Sequence, residues 1–265
     1  MVAGDELPDL LTGCNMNIGD VNEWGGEGYF LDLSQYLDEM PNLQAYFEKY
    51  PEMKAFCSTS DGHIYGLPRL RVDMTDRLTR SFVNKVWLEN LGLSGLTSDV
   101  HSERETSIAS PVQNGIMVAV NANTQYPEAM ARFLDYFYTD EGMLSATKGY
   151  EGITFDMVQD ELLGIEVPEM KVPDGYTSGE EYRYKGSVLN EALNLVERNL
   201  DREALFNADQ ELLEKPEIVE KYGWAARVLD AYKADGVTGV DCYPVVSYTT
   251  EEIEERSPIY KDLST

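Results

Sequence analysis

The residues best equipped for chemistry in this chain are aromatic rings set beside groups that hydrogen-bond. Trp24, Glu27 and Tyr29 crowd into one short stretch, Arg69 and Arg71 follow the turn Tyr65-Gly66-Leu67-Pro68, and Tyr150-Glu151 sits in a glycine-punctuated loop. Rings of this kind stack on the C–H faces of sugars while carboxylates and guanidiniums hold the hydroxyls. Each residue also has a purely structural reading. Trp24 can cover a helix, Glu27 can cap one, and an arginine in so acidic a chain readily finds a carboxylate. Residue types alone leave packing and recognition both open.

Catalysis leaves a weaker trace. Ser110 and Ser187 lack the surroundings of a nucleophile elbow. Gly25-Gly26-Glu27-Gly28 has no phosphate-loop lysine and no dinucleotide-binding spacing, and Asp201 to Glu211 lacks the glycine of a calcium loop. Carboxylates are abundant enough that an acid/base pair could be drawn almost anywhere, which makes such a pair uninformative. Cys14, Cys57 and Cys242 have no metal-ligand spacing, and their odd number precludes complete internal pairing; they read as buried free thiols. Two histidines, His63 and His101, do not make a histidine-rich metal centre. The expectation is a noncatalytic chain with neither cofactor nor metal.

Lysine and arginine total 21 against 48 aspartates and glutamates, a formal charge of −27 over 265 residues. Nucleic acids and anionic membranes both select cationic surfaces, so this chain is read as binding neither. No apolar run is long enough to span a bilayer, and no basic-then-apolar leader opens the chain. Leu11-Thr12-Gly13-Cys14 superficially matches a lipoprotein cleavage box, but nothing upstream resembles the leader that such a box requires.

The elements that must position these residues alternate between strand and helix. Pro8 to Cys14 reads as a brief buried strand, Asn15 to Gly28 as loop or weak helix, and Gln35 to Met40, Leu43 to Tyr50 and Pro51 to Phe56 as short helices. Asp61-Gly62 turns a small hairpin between Cys57 and Ile64. Ser81 to Asn84 has strand character, Lys85 to Asn90 is a helix stopped by Gly92, and Ser94 to Ser107 loses apolar periodicity and reads as linker. Ile116 to Val120 is a strand. The helix that follows starts at Pro127, with Ala129, Phe133 and Phe137, and Met130, Leu134 and Tyr138 one step round, as its apolar stripe. Beyond it come a weak hairpin or loop over Asp156 to Gly175, a helix beyond Gly186 using Val188, Leu189, Ala192, Leu193 and Val196, and helices over Asp201 to Leu213 and Pro216 to Tyr232 that include Trp224. Gly236 to Asp241 is a turn, Cys242 to Val246 is extended, and Thr250 to Ile253 caps a last helix.

Several of these blocks together resemble the large extracellular solute-binding lipoproteins of bacterial ABC importers, the family-1-like, LplA-type proteins of Gram-positive bacteria. The resemblance runs through GDELPDLLTG from Gly4, GYFLDLSQYLDEMPNL from Gly28, DGHIYGLPR from Asp61, VNKVWLENLGL from Val83 and NTQYPEAMARFLDYFYTDEGMLSATKGYEGITF from Asn123. It implies an α/β, periplasmic-binding-protein-like type II fold with ligand held between two lobes, here incomplete and with a helix-rich C-terminal half. It also implies a monomer that presents an oligosaccharide, modified sugar or other small solute to the permease subunits, from a cell-surface tether in the full-length form. On this alignment Cys14 lies inside the first lobe and is not the lipidated cysteine. Family members carry a further strand and helix before the LPDL segment, and NKVWLENLGL ordinarily leads into most of a second lobe. The expected organisation is therefore a first lobe over 1–93, a polar junction over 94–107 replacing much of the second lobe, a return strand, helix and cleft-side loop over 108–155, and a helix-rich remainder over 156–265. A vestigial or noncatalytic interaction scaffold that has lost its cleft, and a peptide-binding importer component, are the alternative readings.

Overall fold

The computed structural model describes residues 7–72, 85–92, 106–108, 112–186, 193–223, 225–227, 229–230 and 239–241. The strands are β1 (Leu10–Met16), β2 (Leu67–Arg71), β3 (Thr106–Ile108), β4 (Val112–Val120), β5 (Phe155–Asp160), β6 (Ile165–Met170), β7 (Val196–Glu197) and β8 (Gly239–Asp241). The helices are α1 (Ile18–Gly26), α2 (Pro41–Lys49), α3 (Pro51–Cys57), α4 (Lys85–Asn90), α5 (Pro127–Tyr136), α6 (Asp140–Thr147), α7 (Gly179–Gly186), α8 (Leu200–Asn207), α9 (Gln210–Leu213) and α10 (Pro216–Tyr222), with a 3₁₀ helix over Leu33–Glu39.

The organising feature is a mixed sheet in the order β1-β4-β2-β7. β1 and β2 each run antiparallel to β4, and β7 runs parallel to β2, so β1, β2 and β7 share one direction. Their carboxyl ends, Met16, Arg71 and Glu197, lie along one edge of the sheet, and the start of β4 joins them there. β4 is buried from Gly115 to Val120, the apolar run expected of a strand covered on both faces. Pairs β3–β8 and β5–β6 stand apart from this sheet.

Local chemistry accounts for most boundaries. Asn17 caps α1 by accepting the Gly19 N–H at 2.7 Å, and Thr139 caps α6 by accepting the Gly142 N–H. Pro41, Pro51, Pro127 and Pro216 each open a helix at its first turn, where a missing N–H costs nothing. The main core gathers Val21, Leu33, Leu43, Met53, Leu67, Leu70, Ile116 and Leu134 around the central sheet. A satellite core of Leu205, Leu213, Ile218, Ala226 and Leu229 holds the C-terminal helices, with Leu162 and Leu163 of the β5–β6 turn packed against it.

Some expectations are corrected. The stripe on α5 and just beyond it is met in part: Leu134, Phe137 and Tyr138 are buried as read, whereas Ala129 is exposed and Phe133 is 41% exposed, and Ala131 and Asp135 face inward instead. A charged residue at a core-facing position hides the rest of this register. Val196 belongs to a strand, because it and Glu197 pair in parallel with Leu70 and Arg71 of β2; residues 187–192, the middle of the expected helix, lie outside the described residues. Thr106 and Ser107 are strand, paired in parallel with Gly239 and Val240, rather than linker and turn. Cys14 is exposed and Cys57 buried. The strand over 81–84, Ser110, Ser187, His101, Trp224 and Cys242 onward lie outside the described residues.

Candidate functional site

In sheets of this kind, side chains at the carboxyl ends of parallel strands are the ones left free to meet a ligand, since the helices that follow pack back along the faces. Arg69 and Arg71 sit on β2 at that edge. They are two apart, so their side chains leave the same face of the strand. Arg69 donates from Nε to the Asn194 carbonyl at 3.0 Å. Arg71 is paired across the β2–β7 register with Glu197, Nε and Nη2 both at 3.0 Å from Oε2. The arginines thus have the carboxylate and carbonyl partners that an acidic chain supplies, and remain part-exposed.

Asp32 fixes the approach to β2. As N-cap of the 3₁₀ helix its Oδ1 accepts the Ser34 N–H, and the same oxygen accepts the Ile64 N–H at 3.1 Å. Its Oδ2 meets His63 Nδ1 at 2.7 Å and accepts from Gln35. Burial alone would raise this carboxyl. The hydrogen bonds from Ser34, Gln35, His63 and Ile64 outweigh it and hold Asp32 well below the usual carboxylate range. One carboxylate thereby joins the 3₁₀ helix to the turn that launches β2, and the Leu33 N–H adds a bond to the Ile64 carbonyl.

Asp135, only 5% exposed, does the same for α2. Met40, the N-cap of α2, offers no side-chain acceptor. Asp135 reaches across from α5 to accept the Leu43 N–H at 2.8 Å and the Asn42 amide at 2.7 Å. A negative charge there also suits the positive end of the helix dipole. Neither carboxylate is among the site residues that the sequence suggests; the one signal for Asp135 is a charge inside an apolar stripe.

The remaining candidates are not brought to this edge. α1 runs back along the sheet, so Trp24, Glu27 and Tyr29 lie towards the amino end of β1, where the Tyr29 carbonyl accepts the Ala122 N–H and Phe30 bridges Asn121. Trp24 packs half-buried and edge-on against Phe30, ring centroids 6.1 Å apart. Glu27 is exposed at the C-cap of α1. Glycine explains itself in this segment: a Cβ on Gly25 would overlap the Tyr65 ring, and Gly28 turns the chain at φ +86°. Tyr29 lines a cleft of about 550 Å³ with Asp9, Asn121, Asn123, Gln125 and Tyr126. Tyr126, 63% exposed, escapes the sequence reading because it immediately precedes a helix and reads as its lead-in. Tyr150 is 65% exposed, and Glu151 bridges to Phe155 in a loop held to the β5–β6 hairpin by the Lys171 bond to the Gly152 carbonyl at 2.7 Å. Among the described residues no group of three or more histidine, cysteine, aspartate or glutamate side chains is placed to hold a metal, and no helix is long and apolar enough to cross a membrane.

No protein-family model matches the chain. Over 99 residues it is 28% identical to the fructooligosaccharide ABC transporter substrate-binding protein FusA of Streptococcus pneumoniae, a match covering 35% of this chain and 18% of that protein. The solved structure of the S. pneumoniae FusA EF-hand mutant in complex with fructo-nystose superposes with a TM-score of 0.56 at 13% identity, over 97% of this chain and 78% of that one. The alginate-binding protein AlgQ2 without calcium ion superposes with a TM-score of 0.51 at 13% identity, over 97% and 78% of the two chains. The chain therefore has the mixed α/β, periplasmic-binding-protein-like fold of the substrate-binding proteins of ABC importers, and over part of its length it is similar to one of them in sequence.

Proposed function

We propose that this chain binds an oligosaccharide or modified sugar outside the cell and delivers it to the permease subunits of an ABC importer, without catalysing a reaction on it. The observation that carries this reading is the superposition, over nearly the whole chain, on a substrate-binding protein holding fructo-nystose. The carboxyl edge of the central sheet is the solute site in this reading, with Arg69 and Arg71 donating to sugar hydroxyls. Tyr150 and Glu151, in the loop after α6, are the candidates for an opposing wall. The organisation read from the sequence goes with it, except that β3 takes Thr106 and Ser107 out of the polar junction read over 94–107: first lobe over 1–93, junction before 106, return segment up to 155 and remainder over 156–265. Cell-surface tethering of the full-length form follows from the same reading.

Trp24 and Glu27 drop from the candidate set, since one packs on the core and the other caps a helix away from that edge. Tyr29 keeps a role only if solute enters the cleft it shares with Tyr126. A thermal-shift screen of neutral oligosaccharides, acidic oligosaccharides and short peptides tests the proposal, followed by Arg71→Met and Tyr126→Ala in the presence of any hit. Stabilisation by a saccharide that Arg71→Met weakens and Tyr126→Ala leaves intact supports the carboxyl edge. Stabilisation by peptides alone transfers the reading to a peptide-binding component, and no response from folded protein leaves a scaffold that has lost its cleft.

A further inference from the structure

We propose that the cleft at the amino end of β1 is a second carbohydrate site, taking a neutral saccharide at the end of the sheet opposite its carboxyl edge. Its volume is about 550 Å³, inside the range of roughly 300–1,000 Å³ that ligand clefts occupy. Leu10 at the start of β1 pairs with Val120 at the end of β4, so Asp9 and the chain from Asn121 onward meet at this end. The 7 residues of β1 separate it from Met16 and the carboxyl edge by about 20 Å of strand. Binding here is therefore independent of whether solute is captured beside Arg69 and Arg71.

The walls are tied together by groups already committed to one another. Asn121, 8% exposed, donates from Nδ2 to the Leu7 carbonyl at 2.8 Å and accepts the Asn123 N–H on Oδ1 at 2.9 Å. Its own N–H reaches the Asp9 carbonyl, and the Ala122 N–H reaches the Tyr29 carbonyl at 3.0 Å. Three separate segments are thereby fixed around one cleft. The side chains that line it remain uncommitted: among the described residues, the Asp9 carboxylate, the Asn123 and Gln125 amides and the Tyr29 and Tyr126 hydroxyls have no hydrogen-bond or ion-pair partner. Tyr29 and Tyr126, 37% and 63% exposed, border this same cleft, and such rings stack on the C–H faces of a sugar. The two amides offer donors and acceptors side by side, which suits hydroxyls, since each of those both donates and accepts. Neither lysine nor arginine lines the cleft among the described residues, so an anion would meet only the Asp9 charge. An organic cation would use Asp9 and the rings but leave the amide N–H donors without partners. A neutral saccharide engages all of them.

Amide-resolved nuclear magnetic resonance of the whole chain, titrated separately with kestose, maltotriose, cellotriose and choline, tests it. Saturable shifts at Asn123, Gln125 and Tyr126 are expected from at least one of the saccharides. Tyr126→Ala should weaken that binding about tenfold, the scale of a lost ring contact with its buried area. Tyr126→Phe, which keeps the ring and loses one hydroxyl, should stay within about threefold. Tyr126 is exposed ahead of α5, so neither change opens the core, and the same spectra show that each variant is folded. Shifts confined to Arg71 and Glu197 overturn this second site while leaving the carboxyl edge as the place of solute capture; saccharide shifts confined to the cleft establish the second site and remove the first. No shift in the cleft from any saccharide, shifts there from choline alone, or saccharide binding in the cleft that Tyr126→Ala leaves undiminished also overturns it.

Discussion

At the scale of single residues, two buried or half-buried carboxylates do more to shape this molecule than the exposed aromatics that first attract attention. Asp135 caps a helix on a different element, so its removal strands the Leu43 N–H and the Asn42 amide together. Asp135→Ala is expected to cost about 2 kcal/mol, the scale of a lost cap plus a buried unsatisfied donor; urea denaturation measures it, and Asp135→Asn, which keeps an acceptor, should cost less. Asp32 and His63 make a pH-dependent pair. The hydrogen bond to Asp32, then its charge and that of Asp61, raise the His63 pKa above its ordinary 6.5, against an opposing effect of burial. A raised pKa means that the contribution is complete below 6.5 and is lost as pH climbs through the folded value. Asp32 has the opposite sign: its contribution is present above its ordinary 3.8 and fades as pH falls through its lowered value. His63→Gln should therefore flatten the fall in stability on the alkaline side of 6.5, in denaturation curves taken across pH, while the acid limb set by Asp32 persists. Burial pushes the Cys57 thiol up to about 12, so in a Cys242→Ser chain a maleimide at neutral pH should label the exposed Cys14 and reach Cys57 only on unfolding.

At the scale of elements, the short helices and the strand over Ile116 to Val120 are readable in the sequence because prolines, caps and glycines mark their ends. The hairpin β5–β6 is readable only weakly. Its turn is closed by Asp160, whose Oδ1 accepts the Leu162 and Leu163 N–H groups while Oδ2 holds Lys221 and the Tyr222 hydroxyl of α10. Nothing in the local pattern announces a partner on an element so distant in the chain. Burial raises the Asp160 carboxyl, but Tyr222, Lys221 and the two backbone donors together hold it below its ordinary value. Asp160→Ala is expected to destabilise by about 3 kcal/mol, as loss of one partner of a buried charged network does, and hydrogen exchange should show the loss in both the hairpin and α10. The register of α5 is legible only in part for a related reason: Leu134, Phe137 and Tyr138 are buried as the pattern suggests, but a buried aspartate interrupts it at a position that faces the core, and the exposed Phe133 reads as a member of the stripe. Gly25 is legible as a glycine but not as a packing position, since Tyr65 reaches it from another element.

At the scale of the whole molecule, the mixed fold is legible through blocks of sequence rather than through periodicity, and the blocks at Leu10, Gly28, Asp61 and Asn123 contribute to or pack on the four-stranded sheet and its core. Of the candidate residues, Arg69 and Arg71 lie at the carboxyl edge of the sheet, each already hydrogen-bonded there, whereas Trp24 and Glu27 share an aromatic-and-acidic composition with sugar sites but lie against the core and at a helix end. Proximity in sequence is a poor guide to proximity at a sheet edge, because a helix that follows a strand carries the chain back to the opposite end. The most direct test is calorimetric titration of a fructooligosaccharide trisaccharide and of an acidic oligosaccharide into the folded chain. Saturable binding of at least one, weakened about tenfold by Arg71→Met as loss of a charged hydrogen bond to a hydroxyl would do, is the predicted result. Absence of saturable heat from both with protein shown to be folded, or binding indifferent to Arg69→Ala and Arg71→Met together, would contradict solute capture at the carboxyl edge of the sheet.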